Sequence, residues 1–296
     1  MLLDPACIPC IIKQANYILN ISVKDNNKLQ LKILKEICSE IYHAEDNLSA
    51  PYFSARTQAI IGKYRNTGNI YRPIKEKNLR KVKKYCLFVR TMIEKSDERL
   101  ETAIRAAIAG NAFDLGANPN FDIEYEINRI TSSEYHLPAL KKFKSDLQKA
   151  KLILYIGDNY EEALFDKYLL EELSYINTVF AVRSRPVLND ITHEDAVKLK
   201  LHKICKVIES GSSIPGTDLR EGTPEFLNLF RNADIVIAKG QGNYETLADE
   251  KRPVYFLFKI KCNSVERRTG YAKGKGVFLY KPERISKKTK LINNKQ

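Results

Sequence analysis

Residues 152–173 read LILYIGDNYEEALFDKYLLEEL. Leu152, Ile153, Leu154, Tyr155 and Ile156 form an unbroken apolar run, the pattern of a parallel strand covered on both faces. After Gly157 the period changes. Ala163, Leu164, Tyr168, Leu169 and Leu173 recur at helical spacing, which leaves Glu161, Glu162, Asp166, Lys167 and Glu171 to face water. Asp158 and Asn159 stand where strand becomes helix, at the edge where open α/β sheets bind ligands. A carboxylate beside an amide suits a hard cation such as Mg²⁺ or Mn²⁺. The plainer reading of the same turn is that Asp158 caps the helix.

Outward from this stretch the pattern repeats. Residues 178–182, 206–209, 234–238, 254–258 and 277–280 read as further strands, most of them separated by helical segments. Thr192-His193-Glu194-Asp195 has the form of a capping box, and Thr223-Pro224 that of a helix start. Such alternation implies right-handed crossovers and a mainly parallel sheet, a three-layer α/β/α domain over residues 113–296. Carboxyl ends of parallel strands share one edge, so turns distant in sequence become neighbours. Here they carry Asp158-Asn159, Asn189-Asp190, Gly211-Ser212-Ser213 and Lys239-Gly240-Gln241-Gly242-Asn243. Two carboxylates and amide oxygens can hold a divalent cation. Glycines and serines such as Ser212 and Ser213 offer N–H and hydroxyl donors to a phosphate, and Lys239 offers a point charge. Together these predict a metal-assisted phosphoryl site. Separately, each has a structural reading: Asp190 as a cap, Gly211 as a turn, Lys239 as a surface lysine. The G-x-G-x-x-G of dinucleotide folds and the G-x-x-x-x-G-K-[ST] of P-loop enzymes are both missing from these turns.

Residues 1–112 read as an all-helical domain, with apolar stripes at Ile11, Ala15 and Ile18; Leu34, Ile37 and Ile41; Val82, Cys86 and Val89; and Leu100, Ile104 and Ala107. Pro51 begins a further helix, and residues 68–73 read as a loop. Residues 118–120 form a turn, and residues 121–130 read as strand or irregular chain. The first helix opens with Cys7-Ile8-Pro9-Cys10. A thiol at a helix N-terminus can have a lowered pKa, but one C-x-x-C lacks the further ligands of a zinc site. Asn111 is either a helix end or a residue reaching the site from the helical domain.

The chain has 296 residues, 44% of them hydrophobic, enough for a sizeable core. No apolar run spans a membrane, and the first residues lack a signal-peptide pattern, so a cytoplasmic protein with reduced cysteines is expected. A net charge of +13 allows an anionic partner, either a metabolite or nucleic acid. The basic runs at residues 80–84 and 286–295 lack the aromatic interleaving or finger spacing of nucleic-acid modules, which makes nucleic acid the less favoured partner.

Three segments carry a family resemblance: Gly157-Asp158-Asn159 with Glu162 and Phe165-Asp166; Arg185-Pro186-Val187-Leu188-Asn189-Asp190-Ile191-Thr192 with Asp195-Ala196; and Lys239-Gly240-Gln241-Gly242-Asn243-Tyr244-Glu245. They resemble the signature segments of the damage-control phosphatases, relatives of the acidic-residue methyltransferase-like proteins. Gly110-Asn111 with Asp114, and the Cys7/Cys10 pair, are similar to the stand-alone microbial branch. The resemblance implies a helical N-terminal domain on an α/β/α domain and metal-dependent hydrolysis of small phosphorylated metabolites. Asp158, Asn159 and Asp190 would then ligate Mg, Mn, Co or Ni. Lys239 and Asn243, with Asn111, Ser212, Ser213 and Gln241 as further candidates, would lie on the substrate and its phosphate. Where the family has two small residues, this chain has Tyr160 and Glu161, whose bulk is expected to narrow the mouth.

Two rival functions stay open at this point: a methyltransferase on the same α/β plan and a nucleic-acid binder with a degenerate site. For the phosphatase, Asp158, Asp190 and Lys239 are the candidate catalytic residues. Asp158 lacks the D-x-D context of aspartyl-phosphate enzymes, which favours direct attack by water over a covalent intermediate.

Overall fold

A seven-stranded sheet organises the computed structural model, which describes residues 1–45, 48–65, 69, 71–111, 123–130 and 134–282. The strands are β1 (Tyr135–His136), β2 (Leu152–Ile156), β3 (Asn177–Val182), β4 (Lys206–Glu209), β5 (Ile235–Lys239), β6 (Val254–Lys259) and β7 (Gly276–Lys281), in the spatial order β1-β7-β6-β5-β2-β3-β4. All neighbouring pairs are parallel except β6 and β7. From β2 the chain winds outward through β3 to β4, then returns to lay β5 on the other side of β2. The connections diverge at β2 and β5, which opens a crevice at their carboxyl ends.

Both sheet faces are covered, as the apolar run of β2 requires. Ile153 and Tyr155 enter a core shared with helices Arg99–Gly110, Leu140–Leu147 and Ala163–Glu172, whereas Leu154 and Ile156 enter a second core with Pro224–Asn232 and Gly240–Leu247. Alternation along the strand sends successive side chains to opposite faces. Helix Arg99–Gly110 comes closest: Ala103, Ala106, Ala107 and Ala109 are buried, and a Cβ on Gly110 would lie 3.1 Å from that of Glu162.

The packing does not divide at residue 112. Leu79, Val82, Val89, Ile93 and Ile104 belong to the core under the sheet, so helices Arg72–Lys83, Cys86–Glu94 and Arg99–Gly110 are part of the α/β/α layer. A separate, smaller core joins Cys7–Ser22, Asn27–His43 and Ala50–Lys63 through Ala15, Ile18, Ile33, Ile37, Ile60 and Ile61, and it also takes Val187 and Leu188 from the turn after β3. Sequence periodicity sees helices but not which core they feed. The expected stripe Val82-Cys86-Val89 is split between two helices by 3₁₀-type bonds at Lys84 and Tyr85. Ile123–Asn128 is a short helix where strand or irregular chain was expected, and Pro73 lies in the first turn of Arg72–Lys83. Gly68, Asp114, residues 118–120 and the basic tail fall outside the described residues. Among the described residues no helix is long and apolar enough to cross a membrane.

Gly157 ends β2 against a ring. A Cβ there would sit 2.7 Å from Cζ of Phe180, which is fully buried and stacked on Tyr155 at 5.3 Å between centroids. Gly157→Ala is therefore expected to cost about 1–3 kcal/mol of stability in urea unfolding. Adding Phe180→Leu, which removes the clashing carbon, should make the pair cost less than the sum of the single changes. Simple additivity would show that the contact is not what constrains the site.

Candidate active site

Four turns meet at the carboxyl ends of β2, β3, β4 and β5, and Asp158, Arg183, Asp190 and Lys239 are buried among them. Asp158 Oδ2 accepts Nδ2 of Asn111 at 3.0 Å and Nδ2 of Asn159 at 2.9 Å. The same two amides donate to Glu162 Oε2 at 2.8 and 3.1 Å. Asn111 reaches this point from the C-cap of helix Arg99–Gly110, and its Oδ1 accepts the N–H of Lys259 at 3.1 Å, tying the end of β6 to that of β2. The helix end and the site residue, separate readings in the sequence, are one and the same.

Asp158 and Asp190 are not helix caps. Helix Ala163–Glu172 starts with no side-chain cap, and the helix after Asp190 is closed by Asp195, whose Oδ2 accepts the N–H and hydroxyl of Thr192 at 3.1 and 2.9 Å. Asp190 instead accepts Nε of Arg183 at 2.8 Å. Arg183, fully buried, extends to Asn243 Oδ1 at 3.2 Å and lies 3.9 Å from Asp158 Oδ1. Asn243 donates to the carbonyls of Gly157 at 3.2 Å and Lys239 at 2.7 Å. Asn159 and Asp190 face each other in an isolated antiparallel bridge, so the first and second turns are clamped edge to edge.

Gly240 explains how the fourth turn comes so near. Its φ is +81°, and a Cβ would fall 1.9 Å from Asp158 Oδ2, so only glycine lets helix Gly240–Leu247 begin against that carboxylate. The first-turn amides of such a helix carry partial positive charge toward an anion at the edge.

Lys239 sits differently from the sequence expectation. Its ammonium is fully buried and donates to Asp166 Oδ1 at 2.5 Å and Glu162 Oε1 at 3.1 Å, while Tyr155 donates to the same Asp166 oxygen at 2.8 Å. Burial alone would favour its neutral form, but Asp166 and Glu162 outweigh that and raise its pKa. Lys239 thus balances acidic neighbours within the site. Ser212, Ser213 and Gln241 are also drawn elsewhere. Ser212 is buried and donates to the carbonyl of Gly216, Ser213 donates to Glu221, and Gln241 spans Glu245 and the N–H of Lys261. Gly/Ser and amide turns can satisfy their own backbone, and here they do. Tyr160 and Glu161 do not narrow a mouth: both are buried, the ring beneath Lys75 and the carboxylate accepting Nδ2 of Asn189 at 3.1 Å.

Burial dominates the electrostatics. It holds the Asp158 carboxyl well above the usual carboxylate range, reinforced by the charges of Glu162 and Asp190. Burial also pushes Asp190 and Asp166 up to about 6, opposed by Arg183 and Lys239 respectively. Cys7, contrary to a helix-start thiolate, has its thiol pushed up to about 11 by burial, and none of the six cysteines forms a disulfide. Among the described residues no trio of His, Cys, Asp or Glu is arranged for a metal.

A divalent cation fits one place by donor chemistry. Asp158, Asn159 and Asp190 each have one polar atom fixed by the bonds above, and no described residue donates to the other oxygen of any of them. All three retain slight exposure, 7%, 5% and 2%. Asn159 cannot be turned over, because its oxygen would then face the carboxylates of Asp158 and Glu162. An oxygen-only set of two carboxylates and an amide is that of a hard cation. A cleft of about 640 Å³, walled by Tyr52, Gln58 and Tyr71 of the helical layer and by Arg185, Val187 and Ser213, reaches the start of the turn that carries Asp190, although Asp158, Asn159 and Asp190 do not line it.

Sequence reasoning missed Arg183 and Lys75 and placed Glu162 and Asp166 on a solvated face. Two signals pointed to the acids: Glu162 and Asp166 follow Asp158 at helical spacing of four, and both stand in the segment that carries the family resemblance.

The chain is similar to known proteins along nearly its whole length. A family model described as the Damage-control phosphatase ARMT1-like domain matches residues 3–277. An uncharacterized protein of Methanocaldococcus jannaschii is 35% identical over 291 residues, covering 94% of this chain and 95% of its own. The damage-control phosphatase of Archaeoglobus fulgidus is 26% identical over 281 residues, covering 91% and 96%. The crystal structure of a DUF89 family protein from Pyrococcus horikoshii aligns with a TM-score of 0.82 at 27% identity, over 95% of this chain and 99% of that one. On the strength of its matched length, its fold and the close M. jannaschii relative, the chain belongs to the damage-control phosphatase ARMT1-like family.

Proposed function

We propose that this chain is a metal-dependent phosphomonoester hydrolase acting on small phosphorylated metabolites, sugar phosphates or related phosphoesters. One observation carries the reading: Asp158, Asn159 and Asp190 each keep a side-chain oxygen that no described residue hydrogen-bonds, on two turns clamped together at the crevice and next to a helix N-terminus. A divalent cation held by those oxygens would offset the charge of a phosphoryl group and polarise it.

The protein's own residues supply orientation. Asn111 and Asn159 fix one oxygen of Asp158, and Arg183 fixes one of Asp190, so neither carboxylate has to search for its position. Amides at the start of Gly240–Leu247 face the same edge and suit phosphate oxygens. The neighbouring cleft has room for the organic part of a small substrate. Only one oxygen of Asp158 is open, which suits a positioning role for this carboxylate and leaves water as the attacking group.

Asp158→Asn is expected to abolish cation-dependent turnover without lowering the melting temperature, because it removes charge from a crowded acidic cluster while keeping an acceptor, whereas Asp190→Asn should abolish turnover and also lower the melting temperature, because it takes the counter-charge from buried Arg183. Asn159→Ala should weaken cation affinity less than either. Wild-type activity of an Asp variant at limiting cation would refute the ligand set.

Lys239→Met should destabilise the fold by about 3–5 kcal/mol in denaturant titration, since it strands two buried carboxylates. A stable variant with reduced kcat/KM would instead return Lys239 to the phosphate.

Hydrolysis of a chiral, isotopically labelled phosphate ester should invert the configuration at phosphorus, the result of one in-line attack. Retention would mean two displacements and a phosphorylated Asp158.

A further inference from the structure

The turn that carries Asp190 is held in place from outside the sheet. Residues 187–191 leave β3 and return to it: Arg183 N–H donates to Ile191 O at 2.9 Å, and Ile191 N–H donates to Asp158 O at 2.8 Å. Within the turn Leu188 has φ +44°, a left-handed conformation that a leucine adopts only when its surroundings impose it. Those surroundings belong to the helical layer. Val187 and Leu188 are buried in the core formed by Cys7–Ser22, Asn27–His43 and Ala50–Lys63. Gln58 Oε1 accepts the N–H of Leu188 at 2.9 Å.

Two residues on, a second helix takes hold. Lys75 is fully buried, and its ammonium donates to the main-chain carbonyl of Asp190 at 2.8 Å and to Asp195 Oδ2 at 2.5 Å. A buried lysine on a carbonyl is unusual, and here the carbonyl belongs to a candidate ligand. Asp195 in turn closes the helix His193–Lys198 that follows the turn, and Arg72 adds a contact to it at 3.4 Å. Hydrogen bonds from two different helices therefore fix the backbone on either side of Asn189.

We propose that Gln58 and Lys75 are positioning residues that keep the strained turn in the form in which Asp190 meets Asp158 and Asn159, so that the helical layer sets the cation affinity of the site. This inference rests on the functional reading above. Groups that orient a ligand from behind typically contribute 10–100-fold in metal affinity. Without Gln58 the N–H of Leu188 loses its acceptor, the left-handed residue relaxes, and Asp190 swings away from its partners.

The test uses the full chain, Mn²⁺ alone in calorimetry, p-nitrophenyl phosphate for kcat and KM, and thermal melting. Gln58→Leu is expected to weaken Mn²⁺ binding on the order of tenfold. Gln58→Glu, which keeps the acceptor at the same length, should restore it. Lys75→Met should weaken binding further. Ile37→Val, a trimming of the same helical core away from the turn, should lose comparable thermal stability and leave Mn²⁺ affinity unchanged. If Gln58→Leu binds Mn²⁺ as the wild type does, or if Ile37→Val weakens binding equally, positioning is overturned while the functional reading stands. A wild-type chain that neither binds Mn²⁺ nor hydrolyses the ester overturns both.

Discussion

Four carboxylates, Asp158, Glu162, Asp166 and Asp190, are gathered at one sheet edge where water scarcely reaches, and two buried cations, Lys239 and Arg183, stand among them. Like charges 4 Å apart repel by about 4 kcal/mol at an effective dielectric of about 20. Such a cluster persists only because much of its charge is offset by donors. The amides of Asn111 and Asn159 and the hydroxyl of Tyr155 donate to three of these carboxylates, and each comes from a different part of the chain, while Oδ2 of Asp166 is buried without a partner. The sheet order, the closeness of helix Arg99–Gly110 and the glycine at 240 all serve to bring those donors within reach.

Residual imbalance at the edge is what gives it chemical use. Asp158 holds a proton more readily than an ordinary carboxyl because burial and its neighbours Glu162 and Asp190 penalise its charge. On the function proposed above, a site that favours added positive charge, presents oxygen donors and borders a helix N-terminus would suit a phosphate accompanied by a cation. Stability is given up locally so that binding can restore it, a common arrangement at functional sites.

Strand β2, the turn at Asp158-Asn159 and the parallel order were legible because they depend on local period and on topology rules that hold across folds. Asp190 was legible for the same reason, as the residue at the next strand end. Arg183, Lys75 and Glu162 were not, since a buried charge looks in sequence like any solvated one until its partners are known. The converse error applies to Ser212, Ser213 and Gln241, whose turn-forming composition mimics a phosphate cradle while their bonds close their own loops. Tyr160 and Glu161 were misjudged because one residue of rotation at a helix start exchanges mouth for core.

The shared core has a consequence for dissecting the molecule. A fragment beginning at residue 113 would strip Val82, Val89, Ile93 and Ile104 from one sheet face and remove Asn111 from the acidic cluster, leaving an apolar slab and an unshielded charge. A cut near residue 71 would remove the outer helical core, uncover Val187 and Leu188, and break the contacts of Met1 and Asp4 with Glu245, Ser264 and Arg267. The helices from Arg72 onward therefore belong to the core of the sheet, and a cut between the two halves at residue 113 would divide that core.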